Sequence, residues 1–201
     1  KYEKVGSRSG YTADQVAYMI LRNAGITDVS IHHISGDLTD NYNPKEHTLN
    51  LSDSVYGSRS IAAIGVAAHE CGHAIQHAHG YAPMSIRAAL VPVVNIGSNL
   101  SIPLIFLGVL LSWNQTLIQL GIWAFALTVI FQLVTLPVEF NASHRAIVKV
   151  EEYGLLGSEE VSGGKKVLTA AALTYVAGAV SSALQLLRLI LLYGGNRRRR
   201  D

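Results

Sequence analysis

Residues 88–138 read AALVPVVNIGSNLSIPLIFLGVLLSWNQTLIQLGIWAFALTVIFQLVTLPV, running from Ala88 to Val138. Arg87 precedes this stretch and Glu139 follows it, and the 51 residues between them include no Asp, Glu, Lys, Arg or His. A soluble chain of 201 residues has no core large enough to hide such a run. The run is too long for one crossing, because about 20 residues span the hydrocarbon core of a bilayer. It divides at Ser112-Trp113-Asn114-Gln115, a polar turn with a tryptophan of the kind that sits at a membrane interface. This predicts one span over about 88–111 and a second over about 116–137. Pro92 and Pro103 fall in the first, where neighbouring helices can satisfy the carbonyls they free.

The bulk composition agrees. Hydrophobic residues make up 49% of the chain and charged residues 15%, against about 25% charged in ordinary soluble domains. The net charge of +2 comes with no basic face, so nucleic acid is not an expected partner; the lipid bilayer is. A lone cysteine, Cys71, excludes an intramolecular disulfide and fits a reducing compartment. The visible chain carries no signal-peptide pattern.

Upstream of the run, residues 1–87 look water-exposed. Thr12 with Gln15 three residues on reads as a capping box, opening a helix to about Asn23 with Gly25 as its stop. Val29–Ile34 is β-like, Asn43-Pro44 marks a turn, and His47–Ser52 alternates polar and apolar as a strand does. Thr48–Ser52 is either an ordinary sheet member or an edge strand that pairs with an extended peptide. A helical pattern then runs from about Ser58 to His79, ended by Gly80. Downstream, 139–166 is polar and begins with a helix at Glu139. Residues 167–193 form a third apolar segment, long enough to span but interrupted by Gln185 and Arg188. Its small residues, from Ala170 to Ser182, suit close helix packing. Arg197–Arg200 form a basic tail suited to lipid headgroups.

Within the helix before the run stands His69-Glu70-Cys71-Gly72-His73, an H-E-x-x-H pattern. At 100° per residue His69 and His73 lie on nearly one face, one turn apart. Two imidazoles so placed can both reach one zinc ion, with room for a third ligand and a water. Glu70 stands where its carboxylate can take a proton from that water and return it to the leaving amine.

The third ligand comes from elsewhere. His77 is two turns from His69, about 12 Å along the axis, so one helix cannot bring both to one ion. His79 stands where an extended H-E-x-x-H-x-x-G-x-x-H pattern would place a ligand, but position 76 is Gln rather than the chain-turning Gly. Glu139 is the better candidate, as the first ionisable group after the uncharged run. Two antiparallel spans return the chain to the bilayer face it left, which brings Glu139 to the side of the His helix. His144 and Arg145, about one turn beyond, are candidate hydrogen-bond donors to an oxyanion, with a solvated face or headgroup contact as the alternative. Cys71 points away from the His pair and is expected to be a packed small residue. His32, His33 and His47 are expected on the surface or in strands. Gly65 and Gly72 are expected to permit close helix packing.

Several of these stretches resemble one known family. Leu38-Thr39-Asp40, Leu51-Ser52, Ala62 through Glu70, His73 through His77, Gly80-Tyr81-Ala82-Pro83 and Pro137 through Ser143 resemble the YugP-type neutral zinc metallopeptidases of bacterial membranes. The likeness covers nearly the whole chain. It implies zinc peptidase activity with His69 and His73 as ligands and Glu70 as the catalytic residue. Members typically begin with a further membrane helix, so an upstream segment is expected. More distantly, the chain is similar to HtpX-type and prenyl-protein endopeptidases, whose third ligand is the Glu of an E-x-x-A-D motif. Glu139 and Ala142 match that motif, and Ser143 replaces its Asp.

Together these readings predict a mainly α, membrane-integral fold. A small α+β zincin-like part, with one helix, a short β-sheet and the His-bearing helix, joins a transmembrane hairpin and a third apolar helix. The expected divisions are 1–87, 88–138, 139–166 and 167–201. The expected function is a gluzincin-type metalloendopeptidase that binds Zn2+ through His69, His73 and Glu139. Its substrates are proteins or peptides at or near the membrane. The alternative is a non-catalytic zinc-binding scaffold or regulator inside a larger membrane complex. Lys1, Lys4, Arg8, Arg87, Arg145, Lys149, Lys165 and Lys166 against the Arg197–Arg200 tail favour a cytoplasmic site in a bacterial inner membrane.

Overall fold

A computed structural model describes residues 5–195. Lys1, Lys4 and Arg197–Arg200, which entered the orientation argument, lie outside the described residues. The elements run α1 (Ala13–Asn23), β1 (Ser30–His33), β2 (Asn41–Asn43), β3 (Thr48–Leu51), α2 (Ile61–Ala78), α3 (Ala82–Leu110), α4 (Gln115–Glu152) and α5 (Ser158–Tyr193). The fold is thus mainly helical with one small sheet. The chain forms two compact units. The first comprises the described residues up to Met84 together with Val138–Leu173; the second comprises Ser85–Pro137 and the chain from Thr174 onward.

In the first unit α1 starts where the capping residues lie, with the Thr12 N–H donating to Gln15 Oε1 at 3.0 Å. Gly25, at φ +75°, follows its end in the left-handed conformation that glycine tolerates best. α2 is opened by Ser60, whose hydroxyl accepts from the Ala63 N–H at 3.1 Å. The core gathers Val16, Ala17 and Ile20 of α1, Leu49 and Leu51 of β3, and Ile64, Ala67, Ala68, Cys71, Ala74 and Ile75 of α2. Ala146 and Val150 of α4 close it. Side chains on almost every face of α2 are buried, which is why its composition is Ala/Ile/Gly rather than amphipathic.

The sheet decides between the two readings of Thr48–Ser52 in favour of the ordinary sheet member. Its order is β1-β3-β2, with β3 parallel to β1 and antiparallel to β2. Thr48–Leu51 is therefore the central strand, and both its edges are occupied. Its alternating pattern follows from packing Leu49 and Leu51 into the core. β2, read from sequence only as the approach to a turn, is the third strand. Asp40 joins the loop before β2 to the end of β3, accepting from the Ser52 N–H at 2.8 Å and hydroxyl at 2.9 Å.

Three helices among the described residues, α3, α4 and α5, are long and apolar enough to cross a membrane. α4 also differs from the expectation of a fresh helix at Glu139, because it runs unbroken through Pro137 to Glu152. The proline removes one N–H without ending the helix. Within the second unit, α3 and α4 pack through glycine. A Cβ at Gly121 would lie 2.7 Å from the Ser101 carbonyl oxygen, and one at Gly108 would lie 2.7 Å from the Ile118 side chain. The Ser101 hydroxyl, fully buried, donates to the Gly121 carbonyl at 2.9 Å, the kind of interhelical bond that small residues make possible in an apolar setting. At the α3–α4 turn Trp113 stacks on Tyr193 with ring centroids 6.1 Å apart.

Candidate metal centre

α2 carries His69 and His73 one turn apart, and their rings meet edge to face with centroids 4.7 Å apart. α4 brings Glu139 against them. Glycine makes this approach possible. A Cβ at Gly72 would lie 2.3 Å from the Ala142 carbonyl oxygen, so α2 and α4 touch backbone to backbone at this point. Ala142 is one turn beyond Glu139 on α4, and Gly72 is one residue before His73 on α2. The contact therefore sets the distance between the carboxylate and the imidazoles.

Glu139 Oε2 lies 3.1 Å from His69 Nε2 and 3.6 Å from His73 Nε2. The side chains of His69 and His73 are 14% and 10% exposed and that of Glu139 is 3% exposed, so a common polar focus is largely shielded from solvent. Among the described residues these three form the group whose ligand atoms all lie within 4.8 Å of one another. Tetrahedral ligands at about 2.0–2.2 Å from zinc stand roughly 3.3–3.6 Å apart. The observed separations bracket that value, and two imidazole nitrogens with a carboxylate oxygen are a donor set zinc accepts. The residues fit the metal.

The electrostatics follow from this enclosure. Burial works to raise the Glu139 pKa, but hydrogen bonds to His69 and then His73 outweigh it and hold the carboxyl well below its usual range. Burial works to lower the His73 pKa. The bond to Glu139 and the charges of Glu70 and Glu139 act the other way, and the net shift is upward. Glu70, 9% exposed, lacks that direct pairing. Burial pushes its carboxyl up, only partly offset by the two imidazoles.

A family model described as "Putative neutral zinc metallopeptidase" matches residues 1–194. The chain belongs to this family. It is also 47% identical over 193 residues to "Putative membrane protease YugP" of Bacillus subtilis (strain 168), a match covering 96% of this chain and 85% of that protein. No solved structure matches it. Zinc is the metal of this metallopeptidase family, and His69, His73 and Glu139 form the site that suits it.

Two further side chains stand behind the two histidines. The Ser143 hydroxyl lies 3.0 Å from His69 Nδ1. If that nitrogen carries the proton, Nε2 is left for a metal. Ser143, where the more distant endopeptidases carry Asp, thus still reaches the ligand. Gln76 performs the matching task for His73, with Oε1 3.0 Å from His73 Nδ1. Its position was readable in one respect: it lies three residues after His73, on the same helical face.

Among the described residues the other sequence candidates are not part of this ligand group. His79 Nδ1 bonds the Ile75 carbonyl at 2.8 Å, and His77 Nδ1 bonds the Tyr42 hydroxyl at 2.9 Å. His33 pairs with Asp53 and His47 with Asp28. Cys71 is fully buried in the core, its thiol 3.6 Å from the Ala17 carbonyl, and burial drives its pKa well up. His144 is exposed. Arg145 donates from Nε to Asn141 Oδ1 at 2.7 Å and holds its guanidinium 5.9 Å from the Tyr81 ring centre.

Proposed function

We propose that this chain is a multi-pass membrane zinc endopeptidase of gluzincin type, cleaving proteins or peptides at or near the bilayer. The observation that carries the reading is the convergence of His69 Nε2, His73 Nε2 and Glu139 Oε2. They supply three protein ligands, and a catalytic zinc site keeps its fourth position for water or substrate whereas a structural site fills it with protein. Zinc, when bound, supplies a Lewis acid that polarises the scissile carbonyl and makes the attacking water more acidic.

The chain's own residues do the rest. His69 and His73 present Nε2, their Nδ1 atoms engaged by Ser143 and Gln76. The Glu70 carboxylate takes the proton as water attacks the carbonyl carbon. It then delivers that proton to the amide nitrogen as the C–N bond breaks, leaving a carboxylate and an amine. A carboxyl whose pKa burial has raised suits both halves of that exchange. Arg145 and His144 are the proposed donors to the oxyanion. Arg145 is the stronger of the two, since Asn141 already holds its Nε and the guanidinium has further N–H groups to offer.

The uncharged run 88–138 is proposed as a membrane hairpin, with 167–193 as a third crossing. The hairpin returns the chain so that Glu139 joins the helix that bears the histidines. Arg8, Arg87, Arg145, Lys149, Lys165 and Lys166 favour a cytoplasmic site by the positive-inside rule. The test is peptide hydrolysis by the purified, zinc-loaded protein. Wild type should cleave a peptide library, and Glu70→Gln should bind zinc without cleaving. Equal behaviour of the two would overturn the enzyme reading.

A further inference from the structure

We infer that Gln76 is a positioning residue that fixes two of the three metal ligands at once, the tautomer of His73 and the placement of Glu139. Gln76 is fully buried on α2, and its carboxamide is spent in three directions. Oε1 faces His73 Nδ1 at 3.0 Å. Nε2 donates to the Val138 carbonyl at 2.8 Å and to Asn141 Oδ1 at 3.0 Å.

The chemistry of these partners fixes which way the amide points. A backbone carbonyl only accepts, so the NH2 group must face Val138 and the carbonyl oxygen must face His73. Asn141 is locked in the same sense, because its Oδ1 also accepts from Arg145 Nε at 2.7 Å. With an acceptor oxygen opposite His73 Nδ1, that nitrogen carries the proton and Nε2 keeps the lone pair a metal requires. The other end of the amide grips the carbonyl of the residue just before Glu139, one residue after Pro137 in α4. One side chain therefore ties the ring on α2 to the backbone that carries the carboxylate on α4.

An apolar residue would fill the same space but could do neither task. It would break the link from α2 to the Val138 carbonyl and let His73 choose its tautomer.

This inference rests on the metal site proposed above, and the experiment separates the two. Full-length wild type, Gln76→Leu, Gln76→Glu and Glu139→Ala are compared in detergent. Zinc affinity is read by competition with a chromophoric chelator, and the visible spectrum is read after Co2+ substitution. Gln76→Leu should bind zinc about tenfold to a hundredfold more weakly, the loss typical of removing a partner behind a metal ligand. Its cobalt spectrum should also change, which a lesion confined to folding stability would not cause in the folded fraction. Gln76→Glu keeps an acceptor for His73 but offers Val138 no donor. It should weaken zinc at least about threefold, and it keeps the test alive if the leucine variant does not fold. Zinc affinity and cobalt spectrum equal to wild type in either folded variant would overturn the role of Gln76. Zinc binding that survives unchanged in Glu139→Ala would instead overturn the site itself.

Discussion

Adding a single methyl group at Gly72 should disable the metal site from behind. A Cβ there would meet the Ala142 carbonyl oxygen at 2.3 Å and the Ala142 Cα at 3.0 Å, where ordinary contact begins near 3.4 Å. Relief requires α2 and α4 to part by about 1 Å, since the atoms in the way are backbone and cannot swing aside. For the same reason shrinking Ala142 to glycine gives no relief. Glu139 lies one turn before Ala142 on α4 and His73 is adjacent to Gly72, so the ligands separate with the helices. An oxygen drawn back about 1 Å from a bond of about 2.1 Å no longer coordinates. Gly72→Ala should therefore lose zinc affinity by at least about tenfold, or about 1.4 kcal/mol. Overpacking should also destabilise the metal-free protein by about 1–3 kcal/mol. Chelator competition and thermal unfolding in detergent measure the two effects. A Gly72→Ala protein that melts with wild type and binds zinc within about twofold of it would refute the backbone-contact argument.

Four further outcomes follow from the same geometry. Ser143→Ala removes the partner of His69 Nδ1 and should weaken zinc about tenfold without unfolding the protein, as read by chelator competition. Asp40→Ala strips the Ser52 N–H and hydroxyl of their acceptor and should cost about 1–3 kcal/mol in denaturant unfolding. Cys71 should resist thiol reagents in the native protein and react within the same assay once the chain is unfolded, because its side chain is fully buried. Asp53, held below its ordinary 3.8 by the Gly36 N–H and then His33, stabilises the folded chain above that pH. The contribution is lost as pH falls through its lower folded value, so Asp53→Asn should flatten the acid limb of a stability-against-pH profile.

Much of the metal site could be read in the sequence because its information is local. His69 and His73 share a face by helical repeat alone, and Glu139 stood out as the first charge after a charge-free run. The α1 boundary was legible for the same reason, since Thr12 and Gln15 act within one turn. Non-local pairing was not. β3 is central because β1, 18 residues upstream in register, pairs parallel to it and β2 covers its other edge. Nothing within a four-residue strand encodes either neighbour. The charge at Glu139 reads as the start of a new helix, whereas α4 runs through Pro137 to Glu152, since a proline removes one N–H without having to end a helix. Gln76 was read only as a missing glycine, because its three partners come from two helices.

The claim on which the rest depends is that Glu139 completes the metal site with His69 and His73. Zinc content per chain, measured on purified wild type and Glu139→Ala after equal dialysis against a weak chelator, tests it most directly. Wild type should hold about one zinc per chain, and Glu139→Ala should lose most of it. Equal retention of one zinc by both proteins would contradict it.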